Sequence, residues 1–494
     1  MPPSDQSAEP EIEQPIARRS IQATAFTLTA SGITLVLGFV RSILLANALL
    51  QGPIGTYTLA LFFASLLSKA KNFGFSAAMV HRKLRSDEDI SSHFVLQFAL
   101  SLFVFLLSVL LIPVLRLFYP LEPMMPIFVV AITGIGIIKS LNTTPRVLLS
   151  KKLDFKRIAV LDVLSSITAM AVAVPLALAG AGAWSLVGER LSGAIVRFIG
   201  FWFYRRPWRI SLKTSWESLK WYLNFGWFTF LSANLNLLLD RFDDFWTGSS
   251  LGGVALGSYA KAFEFAGYTR RVIAEPLITV LFPTFAQLQD DRERLSKAYF
   301  RVCSLIVRFG FLFAGIFFLV TPEFLRIFLD PTWWSIETIF RLMLIYTLFD
   351  PIFALSGRLI VAMGQPRILT RIKLIQIMFF VPAVIVLAKL FGVFGVAVAA
   401  DLMLLVGSII LVPRLRQYVD FSLFRLLATP SLGLAAALST AWALTAWLDL
   451  SGNLWLSLLV KAVVTAIVYG SLLLLLERHF YVEMWERFQK IWRS

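Results

Sequence analysis

Cations stand inside segments that otherwise read as membrane spans, among them Lys69 in SLLSKAKNFGFS (residues 65–76), Lys139 in a run from 125 to 149, and Arg270 and Arg271 in a run from 254 to 285. A charge at bilayer depth costs at least ~2.5–3.5 kcal/mol on insertion scales, so such residues face a partner or a water-filled cavity. Lysine and arginine at one depth supply the charge and the hydrogen-bond donors that hold phosphate or diphosphate. The set is therefore a candidate cationic lumen for an anionic substrate. Lys71 follows Lys69 by two residues, about 200° around a helix, so the two cannot share one face. Lys71 reads as a side chain snorkelling toward the headgroups.

Acids accompany the cations. Glu189, Asp240, Glu264, Asp350 and Asp401 lie in or at the ends of apolar runs. A carboxylate in low dielectric can take up protons, so these are candidates for H+ or Na+ coupling. The alternative for each is a charge partner to a nearby arginine or lysine. Asp350 nearly matches Lys139 in the repeat described below and could pair with it, and Pro351 would interrupt the helix there. The pattern D-x-x-D-D at 240–244 has the acids of a divalent-metal site, but Arg241 sits among them and no second acidic motif accompanies it. No metal centre and no bound cofactor is expected. The histidines, His81, His93 and His479, are far apart, and the single cysteine, Cys303, excludes an internal disulfide.

The elements that must position these residues are membrane helices. Of the 494 residues, 58% are hydrophobic and 15% charged, a composition that places the chain among multi-pass membrane proteins. Apolar runs long enough to cross ~30 Å of hydrocarbon fall at 21–46, 54–80, 93–118, 125–149, 158–179, 183–204, 223–245, 254–285, 299–320, 334–360, 368–389, 392–413, 427–448 and 454–476, about fourteen spans. The formal charge of +16 would suggest nucleic acid in a soluble protein. Here the basic residues gather in alternate loops, for example Arg82, Lys83 and Arg85, or Arg146, Lys151 and Lys152, which places both termini in the cytoplasm. No nucleic-acid partner is expected. Residues 1–20 read as a cytoplasmic tail. Residues 205–222, between the two halves, and the tail 477–494 are rich in Trp, Arg and Lys, and both suit helices lying along the interface and touching membrane lipid.

The halves repeat. GPIGTYTLA (52–60) resembles VALGSYAKA (254–262), so Gly55 and Tyr57 align with Gly257 and Tyr259 at an offset of 202, and the same offset sets Glu88 and Asp89 on Asp290 and Asp291 and Lys69 on Arg271. An offset of 212 sets Gly180 on Gly392, Arg146 on Arg358 and Glu189 on Asp401. Duplicating a unit with an even number of spans keeps its orientation, so the repeats are parallel and a substrate path is expected between the lobes. The expected organisation is an N-lobe at 21–204, the linker 205–222, a C-lobe at 223–413 and two further spans within 427–476.

The segments GPIGTYTLALFFASLLSKAKNFGFSAAMVHRK and TGSSLGGVALGSYAKAFEFAGYTRRVIAEPLITVLFPTFAQLQDDRERL, with the fourteen-span layout, resemble the multidrug/oligosaccharidyl-lipid/polysaccharide (MOP) exporter superfamily, and within it the Wzx-type polysaccharide flippases. The resemblance implies an all-α protein of two six-helix bundles in a V with two C-terminal helices. It implies an undecaprenyl-diphosphate-linked oligosaccharide, such as an exopolysaccharide or O-antigen repeat unit, moved across the bacterial inner membrane, with polysaccharide polymerase machinery as a further partner. Only the idea of cationic lumen positions carries over, onto Lys69, Arg270 and Arg271. A multidrug exporter of the superfamily would use buried acids against cations, which the basic residues at matched positions oppose. A lipid II-type flippase shares the diphosphate lipid and stays open. A membrane polymerase or sugar transferase would need a long external loop or a catalytic domain, and no nucleophile–base or phosphate-cradling motif is present, so no enzyme is expected.

Overall fold

The computed structural model describes the backbone of residues 10–69, 75, 79, 87–152, 154–204, 208, 211 and 213–478, with side chains from residue 26 onward except 223–235, 273–284, 286, 287 and 451. Among the described residues the chain is helical throughout and contains no strand. The helices are α1 (Pro10–Ala48), α2 (Gln51–Lys69), α3 (Asp87–Leu110), α4 (Ile112–Phe118), α5 (Met125–Lys151), α6 (Phe155–Leu178), α7 (Trp184–Trp202), α8 (Trp216–Ser250), α9 (Gly253–Gln287), α10 (Arg292–Phe328), α11 (Glu337–Ala362), α12 (Pro366–Leu415), α13 (Leu423–Trp447) and α14 (Leu454–Leu476). Nine helical stretches among the described residues are long and apolar enough to cross a membrane. One of them, α12, holds two expected spans and turns at Gly392, whose φ of 59° only glycine adopts without strain. Of the runs expected at 54–80, 183–204, 223–245 and 254–285, none is among the nine, and the first, third and fourth fall partly outside the fully described residues. Helix α7 covers the second of these and carries Glu189, Arg190 and Arg197. Lys71, His81, His479 and the tail from 479 lie outside the described residues.

The chain forms two compact units, residues 1–257 and 258–494. In the first, small residues let helices approach closely. A β-carbon on Gly193 would stand 2.8 Å from Ser165 Oγ, and that hydroxyl donates to the Gly193 carbonyl at 3.1 Å, joining α6 to α7. The first turns of α2 and α9 cross on glycine in the same way: a β-carbon on Gly55 would overlap the Gly253 carbonyl, and one on Gly257 the Gln51 carbonyl. The start of α8 is fastened to α3. Ser218 Oγ donates to Asp89 Oδ1 at 2.6 Å, Tyr222 donates to the Asp89 carbonyl at 3.3 Å, and the Ser215 N–H donates to Ser92 Oγ at 3.1 Å.

In the second unit, α14 is pinned to α10 by two buried ion pairs, Lys461–Glu323 at 2.5 Å and Arg308–Glu477 at 2.6 Å. The two arms of α12 fold back on each other, with Gln376 Nε2 donating to the Met403 carbonyl at 3.1 Å.

The motifs that match between halves do the same local work in each. Asp87, Glu88 and Asp89 fill the first turn of α3, and Asp291 caps α10 by accepting from the Arg294 N–H at 3.0 Å. Both place acid at the positive end of a helix dipole. Gly180 (φ 82°) and Gly392 (φ 59°) each occupy a turn that favours glycine.

Candidate functional site

Four helices of the first unit each turn one polar stripe toward a common cavity of about 910 Å³. From α1 come Thr27, Ser31, Thr34 and Arg41; from α5, Lys139, Asn142, Thr143, Arg146 and Ser150; from α6, Asp162, Ser165 and Ser166; from α7, Glu189, Arg190 and Arg197. Spacings of three, four and seven residues keep each set on one helical face. The other faces of α1 and α6 carry exposed apolar residues, such as Val36 and Val40 on α1 and Val160, Leu164 and Ile167 on α6, which suits contact with hydrocarbon.

The cavity holds five cations (Arg41, Lys139, Arg146, Arg190 and Arg197) against two carboxylates, Asp162 and Glu189, a net charge of +3. Asp162 is the hub. Its Oδ1 accepts from Arg146 Nη1 and Arg197 Nε, each at 2.9 Å, and its Oδ2 accepts from Arg146 Nη2 at 2.9 Å. Arg41 meets Glu189 at 3.0 Å. Arg190 lies over the Tyr57 ring, 5.8 Å from its centroid, and Tyr57 donates to the Leu186 carbonyl at 3.2 Å. Asn142 Nδ2 donates to the Ala194 carbonyl at 3.0 Å, and its Oδ1 is buried with no hydrogen-bond partner among the described residues. Convergent guanidiniums in a partly dehydrated cleft recognise phosphate by charge and by paired hydrogen bonds.

The residues singled out in the sequence fall in several places. Lys139 and Glu189 line this cavity. Lys69 ends α2, half-buried. Arg270 pairs with Asp350 at 2.5 Å within the second unit, so Asp350 meets an arginine of the sequence-derived set. Arg271 is exposed and stacks over Tyr268 at 5.1 Å. Glu264 holds Lys261 at 2.8 Å. Asp240 is exposed on α8, and its neighbour Arg241 holds Asp244 at 2.7 Å. Asp401 lies on the second arm of α12, and its Oδ1 is buried with no hydrogen-bond partner among the described residues. Sequence reasoning missed Arg41, Asp162, Arg190 and Arg197, and counted Arg146 among the loop charges that set topology. The signal that finds them is the polar stripe, legible on α5 as Lys139, Asn142, Thr143, Arg146 and Ser150.

Residues 44–338 match the family model described as polysaccharide biosynthesis protein. The chain belongs to that family. Among its curated relatives is the lipopolysaccharide biosynthesis protein WzxC of Escherichia coli, 24% identical over 80% of each chain. Another is the succinoglycan biosynthesis transport protein ExoT of Rhizobium meliloti, 28% identical over 54% of this chain and 53% of that one. Among solved structures, the lipid II flippase MurJ in its inward closed conformation matches with a TM-score of 0.76 at 14% identity, over 93% of this chain and 100% of that one. A multidrug resistance MATE family transporter of the MOP superfamily, inward-facing, matches with a TM-score of 0.53 at 15% identity, over 80% and 95%. The expected all-α fold and MOP-superfamily membership, with its Wzx-type branch, are borne out, and the chain is a multi-pass membrane protein.

Proposed function

We propose that this protein is a flippase that moves a diphosphate-linked lipid oligosaccharide, of the undecaprenyl type, from the cytoplasmic to the periplasmic leaflet of a bacterial inner membrane. It breaks and forms no covalent bond in this reading. The observation that carries it is the cavity with five cationic side chains and a net charge of +3, built on helices whose other faces are apolar. A sugar headgroup with its diphosphate cannot enter hydrocarbon unaided, because each buried polar group without a partner costs several kcal/mol. A polar cavity gives the headgroup hydrogen bonds while the polyprenyl tail stays in lipid. The transport names of the relatives point the same way. In the same reading an alternating-access cycle is driven by H+ or Na+ or by the substrate gradient, and Asp401, with its unmatched oxygen, is the candidate coupling residue. Both termini lie in the cytoplasm, and the product is handed to polymerase machinery.

The test is deletion and complementation, with lipid-linked sugars assayed on each membrane face. Without the protein the headgroups are expected to accumulate on the cytoplasmic face, and the intact gene is expected to restore export. Headgroups that reach the periplasmic face normally but are not extended would assign the chain to polymerisation and end the flippase reading.

A further inference from the structure

We propose that Asp162 is a built-in stand-in for a substrate phosphate: its carboxylate occupies the arginine fork between transport events and yields the fork to the incoming anion. The proposal rests on the flippase reading and names the place where the headgroup's phosphate docks.

The geometry carries it. Arg146 comes from α5 and Arg197 from α7, and both close on the one carboxylate that α6 places between them. Arg146 presents two parallel donors to the two carboxylate oxygens, each at 2.9 Å, which is the bidentate arrangement guanidinium makes with carboxylate and phosphate alike. The group is not sealed in a core. The side chains of Arg146, Arg197 and Asp162 are 46%, 33% and 24% exposed and all line the 910 Å³ cavity. A carboxylate needed only to neutralise buried arginines would be packed away from a ligand path. This one stands at the cavity wall with Ser165 and Ser166 on the same face of α6.

Two physical consequences follow. Between transport events Asp162 holds two long side chains from separate helices in the geometry a phosphate needs, so less conformational freedom is lost on binding. It also competes with the ligand. A phosphate that enters must displace the carboxylate, and the displaced carboxylate, still tethered on α6, repels the bound anion and favours its departure. A flippase needs that balance, because a fork that only attracts would retain its cargo. Asp162 is thus a positioning residue that acts through Arg146 and Arg197.

The experiment uses the full-length protein in lipid nanodiscs, titrated with geranylgeranyl diphosphate, with geranylgeraniol as the uncharged control. Asp162→Asn keeps the size of the side chain and removes the competing charge. It is expected to bind the diphosphate roughly five- to tenfold more tightly, a gain of about 1–1.4 kcal/mol, with no change for the alcohol. In cells it is expected to export more slowly, so that affinity and turnover move in opposite directions. Asp162→Glu is expected to restore wild-type binding. Asp162→Ser, matched to its neighbours Ser165 and Ser166, repeats the test where the asparagine variant does not accumulate.

Equal or weaker diphosphate binding by the neutral variants would overturn the proposal and leave Asp162 as a structural clamp. Failure of both neutral variants to accumulate in the membrane would have the same meaning. If the wild-type protein does not prefer the diphosphate to the alcohol, the flippase reading itself fails and the inference with it. If the wild type shows that preference and the neutral variants do not tighten it, the inference fails alone.

Discussion

The backbone nitrogen of Gly257 lies 2.9 Å from where a β-carbon on Gly55 would stand. These two glycines are mates under the 202-residue offset, and they meet where the first turns of α2 and α9 cross. The spot has no room for a methyl group from either side, because a side chain on either residue strikes backbone rather than a movable side chain. Gly55→Ala and Gly257→Ala are each expected to lower stability by about 1–3 kcal/mol through overpacking, read as a fall in the thermal transition of the detergent-solubilised protein. Gly267, with nothing within 4 Å of its would-be β-carbon, is the control, and Gly267→Ala should be neutral or stabilising by roughly 0.5–1 kcal/mol.

The Glu323–Lys461 pair predicts a larger loss. Their side chains are 8% and 12% exposed, and Glu323 also accepts from Ser457 Oγ at 2.9 Å. Glu323→Ala strands a buried ammonium and should cost about 3–5 kcal/mol, whereas replacing both partners with Leu and Met should cost little or even stabilise. Thermal shift of the single and double variants checks this, and equal losses in both would show that packing rather than charge holds α14 to α10.

In the cavity, Lys139→Gln and Arg190→Gln each replace a charged donor with a shorter neutral amide. Each is expected to weaken headgroup binding by about 1.5–3 kcal/mol, roughly tenfold to hundredfold in KM, while protein levels hold. Lys69→Ala and Arg271→Ala are likewise expected to impair export at normal abundance. Normal export from both would remove those two positions from the anion path.

Asp401→Asn tests ion coupling. Export in proteoliposomes is expected to lose its dependence on an imposed proton or sodium gradient and to keep its dependence on the substrate gradient. An unchanged gradient response would take Asp401 out of the coupling role.

The helices were legible in the sequence because apolar runs and loop charge are strong, additive signals. The local roles of Gly180, Gly392 and Asp291 were legible because turn and cap chemistry is set by nearest neighbours. The cavity was not. Arg146 sits within six residues of the end of α5, so along the chain it reads as a loop charge, and only the partner at Asp162 shows which way it faces. Asp162, Ser165 and Ser166 lie in a run whose hydropathy hides them. Arg190 and Arg197 acquire meaning from Tyr57 and Asp162 on other helices. Pairing of this kind depends on how helices pack, which no single periodicity encodes. Charges at a constant offset mark what the two halves share, whereas this cavity is built from residues of the first unit.

The turn at Gly392 has a consequence for how the protein is made. Lys389 is the one charged residue between Lys373 and Asp401, and a single glycine conformation reverses the chain near the middle of that stretch. There is no hydrophilic loop to hold the two arms on one side of the membrane while they are threaded in turn. They are therefore expected to leave the ribosome and enter the bilayer as one hairpin. A nascent chain arrested before the second arm emerges would carry Gln376 into hydrocarbon without the Met403 carbonyl that its amide meets in the finished protein, and that single arm is the form a membrane quality-control protease would find.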